Sequence, residues 1–169
     1  SSLMKNHMAG LLKYAPDCTY FLAPYINSYK RFVKGSFAPT RAIWSIDNRT
    51  AGFRLCGEGT QAIRVECRIG GSDLNPYLAL AAQIAAGIAG IEESLDLPSA
   101  AKGDIYQGDT GLVPDSLDKA RTHMMTSDML RTAIGDEVIE HYARCAEWEI
   151  EEFSRIVTDW EVARGFEKA

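Results

Sequence analysis

Between Ile63 and Ile69 apolar and polar residues alternate without a break. Ile63, Val65, Cys67 and Ile69 fall on one side and Arg64, Glu66 and Arg68 on the other. A period of two is that of a β-strand, whose successive side chains point to opposite faces. Such a strand, read as Ala62 to Ile69, must bury one face and pair with neighbours, so the chain has to build a sheet. Two further candidates precede it, Ala42 to Ile46 and Thr50 to Cys56. Between the last two strands, Cys56-Gly57-Glu58-Gly59-Thr60 reads as a hairpin connection.

Helical patterns flank this region. Leu3, Met4, Met8, Leu11, Leu12 and Ala15 recur at helical spacing, and Pro16 is expected to close that helix. The stretch from Phe21 to Ser36 is mixed and yields no assignment. Asn75-Pro76 opens a helix in the favoured order, cap residue then proline. Its expected buried stripe is Tyr77, Ala81, Ile84, Ile88, Ile91 and Leu95. Gly87 and Gly90 lower helix propensity there, which implies close packing against a neighbour. Pro98 to Pro114 reads as loop. One helix then starts at Pro114-Asp115-Ser116, Ser127 caps a second, and Asp136 starts a long third. Ile139, Tyr142, Ala146, Ile150, Phe153, Val157 and Trp160 are its expected buried face, and the glutamates at 147, 149, 151 and 152 a solvated one. The fold class is α+β, a small antiparallel sheet flanked by helices, with residues 1–169 as a single domain.

A net charge of -5 excludes the clustered basic surface that nucleic-acid binding needs. The longest nearly apolar run, Leu78 to Ile91, contains Gln83 and is too short to span a bilayer, and no segment reads as a signal peptide. A cytoplasmic protein is expected, without nucleic-acid or membrane partners. Cys18, Cys56, Cys67 and Cys145 form no C-x-x-C pair and are read as free thiols. His7, His123 and His141 are scattered and give no zinc pattern.

Arginine is concentrated where the strands lie: Arg31, Arg41, Arg49, Arg54, Arg64 and Arg68 fall within 38 residues of an otherwise acidic chain. On the polar face of the last strand, Arg64, Glu66 and Arg68 stand about 7 Å apart. Two forked guanidinium groups at that spacing suit a phosphorylated or carboxylate ligand. Glu66 between them suits a divalent cation that is also held by phosphate oxygens. The same pattern also makes a purely structural ion network, and spacing does not choose between the two. Arg54 on the neighbouring strand adds positive charge beyond what Glu66 neutralises, which favours an anion.

Asn27-Ser28-Tyr29-Lys30-Arg31, Ala38-Pro39, Trp44, Asn48-Arg49, Arg64-Val65-Glu66-Cys67-Arg68 and Asn75-Pro76-Tyr77-Leu78-Ala79, in this order and spacing, resemble the glutamine synthetase family. The resemblance runs from Met8-Ala9-Gly10-Leu11-Leu12 to the tail Val157-Thr158-Asp159-Trp160-Glu161. It implies the C-terminal part of that family's catalytic domain. The activity implied is an ATP-dependent joining of glutamate to an amine or ammonia through a γ-glutamyl phosphate, with Mg²⁺ or Mn²⁺, in a homo-oligomeric full-length parent. By the resemblance Arg31 binds glutamate, and Arg49 faces both the nucleotide phosphates and the substrate. Arg54 and Arg64 are associated with ATP, Glu66 is a metal ligand, and Arg68 contacts glutamate or its γ-phosphoryl group. Arg49 and Arg68 are thereby the candidate catalytic pair. Arg41 matches nothing in the family pattern and is read as a surface charge. Tyr106 falls where some bacterial members carry a modifiable tyrosine.

Two departures qualify what the resemblance implies. The family's other metal-binding carboxylates, its metal-binding histidine and its N-terminal domain belong upstream of Ser1. The chain alone is therefore expected to lack ligase activity, and a non-catalytic anion-binding relative or a subunit completing another chain's site are the competing classes. The family's flap also reads Gly-Tyr-Glu-Ala-Pro in typical ammonia-using members. Here it is Gly35-Ser36-Phe37-Ala38-Pro39, with Phe37 in the place of the glutamate, which points to an organic amine as substrate.

Overall fold

The computed structural model describes residues 1–168. Two helices come first, α1 (Ser2–Lys13) and α2 (Ala15–Leu22), the first capped by the Ser1 hydroxyl on the Met4 amide. Pro16 opens α2 rather than closing α1. Its missing N–H costs nothing in a first turn, where that donor has no partner in the helix. The segment left open by sequence holds the end of α2 and a 3₁₀ turn, Ile26–Arg31.

Three strands follow: β1 (Trp44–Ile46), β2 (Phe53–Cys56) and β3 (Arg64–Cys67), in the order β1-β2-β3. The α+β class holds, but the sheet is mixed. β2 and β3 are antiparallel, whereas β1 runs parallel to β2. Parallel neighbours normally need a long crossover; here the chain doubles back between Asp47 and Gly52. Asp47 takes a left-handed φ of 49° and Asn48 Oδ1 accepts from the Thr50 amide at 3.0 Å. Gly52 passes so close that a Cβ there would stand 2.5 Å from the Arg41 carbonyl oxygen. This local chemistry, invisible to a search for alternation, reverses the expected direction of β1.

The remaining helices are α3 (Pro76–Glu92), α4 (Leu117–Met125), α5 (Asp128–Ile134), α6 (Asp136–Ser154) and α7 (Asp159–Lys168). Asn75, Ser116 and Ser127 cap α3, α4 and α5 with their side-chain oxygens, as their sequence positions imply. α3 buries Ala79, Ala82, Ala86, Gly87 and Gly90, its small face, against α1. A Cβ on Gly90 would lie 2.5 Å from the Gly10 Cα, and one on Gly87 would run into the His7 ring. The expected close approach is real, but it inverts the expected stripe: Tyr77 is 84% exposed, and Ile84 and Ile88 also face out. Bulky residues on the contact face would hold the two helices apart.

The core joins α1, α2, β2 and the C-terminal helices through Leu11, Phe21, Phe53, Ile69, Met124 and Ile139. Only part of the expected face of the last long helix is buried. Ile139 and Ala146 are inside and Tyr142 and Ile150 half-buried. Phe153, Val157 and Trp160 are exposed, because the helix ends at Ser154 and α7 buries none of its side chains. Glu149 leaves the solvated face to accept the Ile26 amide at 2.8 Å. Among the described residues no helix is long and apolar enough to cross a membrane.

Candidate functional site

The antiparallel β2–β3 register pairs Arg54 directly with Glu66. The two side chains therefore share one face, as alternation implies. One Glu66 carboxylate oxygen accepts from Arg54 Nη1 at 3.1 Å and the other from Arg68 Nη1 at 2.8 Å. Burial alone would push the Glu66 carboxyl up; the hydrogen bonds and charges of Arg54 and Arg68 outweigh it and hold the group below the usual carboxylate range. Arg54 also pairs with Asp47, the residue that turns the chain out of β1. That second carboxylate was hidden from sequence reasoning, since it reaches Arg54 only through the parallel register.

Arg68 fastens three segments together. Nη1 holds Glu66, Nε donates to the Arg49 carbonyl at 2.9 Å, and Nη2 donates to the Phe37 carbonyl at 3.2 Å. Arg31, at the end of the 3₁₀ turn, donates to the Ile69 carbonyl and lies 4.8 Å over the Phe32 ring. Burial holds its pKa below the ordinary arginine value, partly offset by the charge of Asp73. Asp73 in turn accepts from Ser28 at 2.6 Å. A cleft of about 540 Å³ opens between these elements, lined by Lys30, Arg31, Phe37, Glu66 and Arg68 among others.

The structure thus brings together Arg31, Glu66 and Arg68 at one cleft, with Arg54 behind Glu66. Arg49 enters through its backbone carbonyl, and its exposed guanidinium makes no hydrogen bond among the described residues. Arg64 is exposed and donates to the Ala62 carbonyl at 3.2 Å, apart from the Glu66 cluster. Arg41 is no free surface charge. It donates to the carbonyls of Ile105, Gln107 and Thr110 and to the Thr110 hydroxyl, so it organises the loop before α4. Tyr106 is buried, and its hydroxyl donates to the Ala38 carbonyl at 3.0 Å. The four cysteines are free thiols; Cys145 is exposed, its Sγ 3.7 Å from His141 Nε2.

Buried, unpartnered Nε groups on Arg31 and Arg54 fit an anionic ligand, since buried donors are normally satisfied. A divalent cation is different. Among the described residues no three His, Cys, Asp or Glu side chains converge on one point, and both oxygens of Glu66 are already engaged. This chain's donor set alone does not fit a metal.

Residues 1–165 match the family model described as glutamine synthetase, catalytic domain. Over 168 residues the chain is 44% identical to the γ-glutamylethanolamide synthetase GlnA4 of Streptomyces coelicolor, covering 99% of this chain and 36% of that protein. It is 37% identical to a glutamate–isopropylamine ligase of a Pseudomonas species, covering 94% and 35%, and 34% identical to the glutamine synthetase of Thermotoga maritima, covering 97% and 39%. The chain thus spans little more than a third of the length of these curated relatives. The solved GmaS/ADP complex superposes with a TM-score of 0.87 at 26% identity, over 99% of this chain and 40% of that one.

Proposed function

Since this chain belongs to the glutamine synthetase family, we propose that it supplies the arginine-bearing wall of an ATP-dependent ligase that joins the γ-carboxyl of glutamate to an organic amine. The observation that carries this is the Glu66–Arg68 pair, braced by Arg54, at a cleft also lined by Arg31 and Phe37.

In this reading Arg31 holds a carboxylate of glutamate, a task suited to a partly buried guanidinium with one nitrogen unpaired. ATP, when bound, supplies the phosphoryl group that activates the γ-carboxyl. Arg49 and Arg68 stabilise the negative charge that develops on the transferring group, and Arg54 and Arg64 attract the nucleotide phosphates. Glu66 fixes Arg54 and Arg68 in orientation before any ligand arrives. As a ligand of Mg²⁺ or Mn²⁺ it would exchange an arginine bond for the ion, with the other ligands coming from outside the described residues. The chemistry assigned to this chain therefore uses its guanidiniums alone.

The amine preference rests on Phe37. The residue is 62% exposed at the rim of the cleft, where an ammonium ion would need a carboxylate to attract it and take its proton. An aromatic face suits an alkyl group or a substituted ammonium. Two of the relatives carry the names of an ethanolamide synthetase and an isopropylamine ligase. A reaction on glutamate and ATP suits the cytoplasm. The exposed apolar faces of α3 and α7 suit burial in a larger homo-oligomeric protein.

The test is an assay of the full-length protein carrying this chain. Glutamate, ATP and Mg²⁺ are offered with ammonia, methylamine, ethanolamine and a polyamine, following ADP release and the γ-glutamyl amide by mass spectrometry. One organic amine should exceed ammonia in kcat/KM. If no amine and no ammonia releases ADP, the ligase reading fails; if ammonia exceeds every organic amine, the protein is a glutamine synthetase proper.

A further inference from the structure

We infer that Tyr106, fixed by Arg41, is a positioning residue for the rim segment Phe37-Ala38, and so sets how the amine side of the cleft meets Arg68. The inference rests on the ligase reading for its kinetic consequences but not for its structural ones.

The argument begins with an improbable backbone. Phe37 has a φ of 59°, a left-handed conformation that bulky L-residues rarely adopt, yet its side chain is largely exposed and gains little from packing. Such a conformation persists only where its surroundings over-determine it. Those surroundings are specific. On the N-terminal side, the Ser36 hydroxyl donates to the Val33 carbonyl at 2.6 Å and receives the Ala38 amide at 3.3 Å. From the cleft, Arg68 Nη2 holds the Phe37 carbonyl. From the interior, the Tyr106 hydroxyl holds the Ala38 carbonyl at 3.0 Å, and Ala38 and Pro39 are themselves buried.

Tyr106 lies in a stretch with neither helix nor strand between α3 and α4, so something must hold it in turn. Arg41 does so. Its Nη1 reaches the Gln107 carbonyl at 2.6 Å and the Ile105 carbonyl at 3.2 Å, and its Nε the Thr110 carbonyl at 2.7 Å. The Ala42 amide donates to the Gly111 carbonyl at 2.6 Å, and the Val113 amide to the Thr40 carbonyl at 3.0 Å, on either side of the Arg41–Leu112 bridge. No carboxylate pairs with Arg41 among the described residues, so its fork of donors serves the loop alone. Hydrogen bonds and the backbone between them link Arg41, through Ile105 and Gln107, to Tyr106, Ala38, Phe37, Arg68 and Glu66.

Removing the Tyr106 hydroxyl would leave the buried Ala38 carbonyl unpaired and the rim free to relax, while Arg31 and the glutamate side of the cleft stay as they are. In the full-length protein, Tyr106→Phe should raise KM for the amine about tenfold, the scale of one lost buried hydrogen bond, with KM for glutamate within about twofold of wild type. Arg41→Lys, which keeps the charge but loses the fork, should reproduce that split. Hydrogen exchange gives an independent readout: amides of residues 36–38 should exchange faster in Tyr106→Phe. Unchanged amine KM with unchanged exchange overturns the inference, as does an equal rise in both KM values, which marks general damage. If wild type turns over no amine, the ligase reading fails, and exchange at 36–38 still decides the role of Tyr106.

Discussion

Glu66 stands opposite Arg54 in the β2–β3 ladder, 3.1 Å from its Nη1, and holds Arg68 with its second oxygen. A carboxylate divided between two guanidiniums orients both, with each of its oxygens engaged. At 39% side-chain exposure the two ion pairs together contribute little to stability, roughly 1 kcal/mol or less. Their importance lies in where they hold the arginines. Glu66→Gln in the full-length protein should therefore shift stability by no more than about 1 kcal/mol while lowering kcat about a hundredfold or more. Urea denaturation beside steady-state kinetics measures both, and a large stability loss with intact kcat would contradict the assignment.

The same pairing has a pH signature. The Glu66 carboxyl is held below its ordinary range in the folded protein, so its contribution is present above the unfolded-state pKa and disappears as pH falls through the folded one. The stability difference between wild type and Glu66→Gln should be flat above about pH 5 and shrink below about pH 4. Denaturation midpoints taken from pH 3 to 8 would show it; a difference that grows on acidification would reverse the sign argued here.

The glycine contact between α1 and α3 makes a prediction against helix propensity. Alanine is the better helix former by about 1 kcal/mol. Yet a Cβ on Gly10 would meet the Ala86 carbonyl oxygen and lie 2.8 Å from the Gly90 Cα, and these are backbone atoms that cannot swing aside. Gly10→Ala and Gly90→Ala should each destabilise by roughly 1–3 kcal/mol net of the propensity gain. A stabilising alanine at either site would mean that the helices do not cross there.

How much of this could be read beforehand depended on the range of the interaction. The strand alternation puts Glu66 on the face it shares with Arg54, because period two is a property of the strand itself. The strand is only Arg64–Cys67, however, and Ile63, expected on the buried side, is exposed. The caps at Asn75, Ser116 and Ser127 were legible for the same reason. What failed depended on partners far away in the chain. Periodicity alone buries the large apolar stripe of α3, whereas the glycines and alanines opposite, matched to Gly10, make the contact. Arg41 looked like a spare charge because its acceptors lie more than sixty residues further on. Asp47 reached Arg54 only through a parallel β1 that alternation could not distinguish from an antiparallel one.

Thiol chemistry should separate the cysteines. Burial pushes the Cys18 and Cys67 thiols up, Cys56 is buried, and Cys145 is exposed on α6. Only the thiolate reacts, so alkylation of the native protein should modify Cys145 well before the other three. Peptide mass spectrometry after brief treatment with iodoacetamide checks the order; early labelling of Cys18 would mean that α2 opens readily.

The last prediction sets stability against function at Phe37. A phenylalanine at φ 59° carries backbone strain of roughly 1–3 kcal/mol, and a residue left 62% exposed recovers little of that by burial. Glycine adopts this conformation freely but is more disordered in the unfolded chain, which offsets part of the relief. Phe37→Gly should thus leave the full-length protein equally stable or more stable by up to about 1 kcal/mol, an unusual result for deleting an aromatic side chain. If the ring is the face that meets the organic amine, the same substitution should lower kcat/KM for that amine about tenfold or more while barely changing KM for glutamate, which sits against Arg31. Phe37→Glu keeps the strained backbone and restores a carboxylate at the rim, so it should raise the ratio of ammonia to organic-amine kcat/KM by at least about tenfold. Thermal denaturation and paired kinetics on both variants separate the two roles. A Phe37→Gly protein that is markedly less stable, or a Phe37→Glu protein with an unchanged ammonia-to-amine ratio, would show that this residue packs rather than selects.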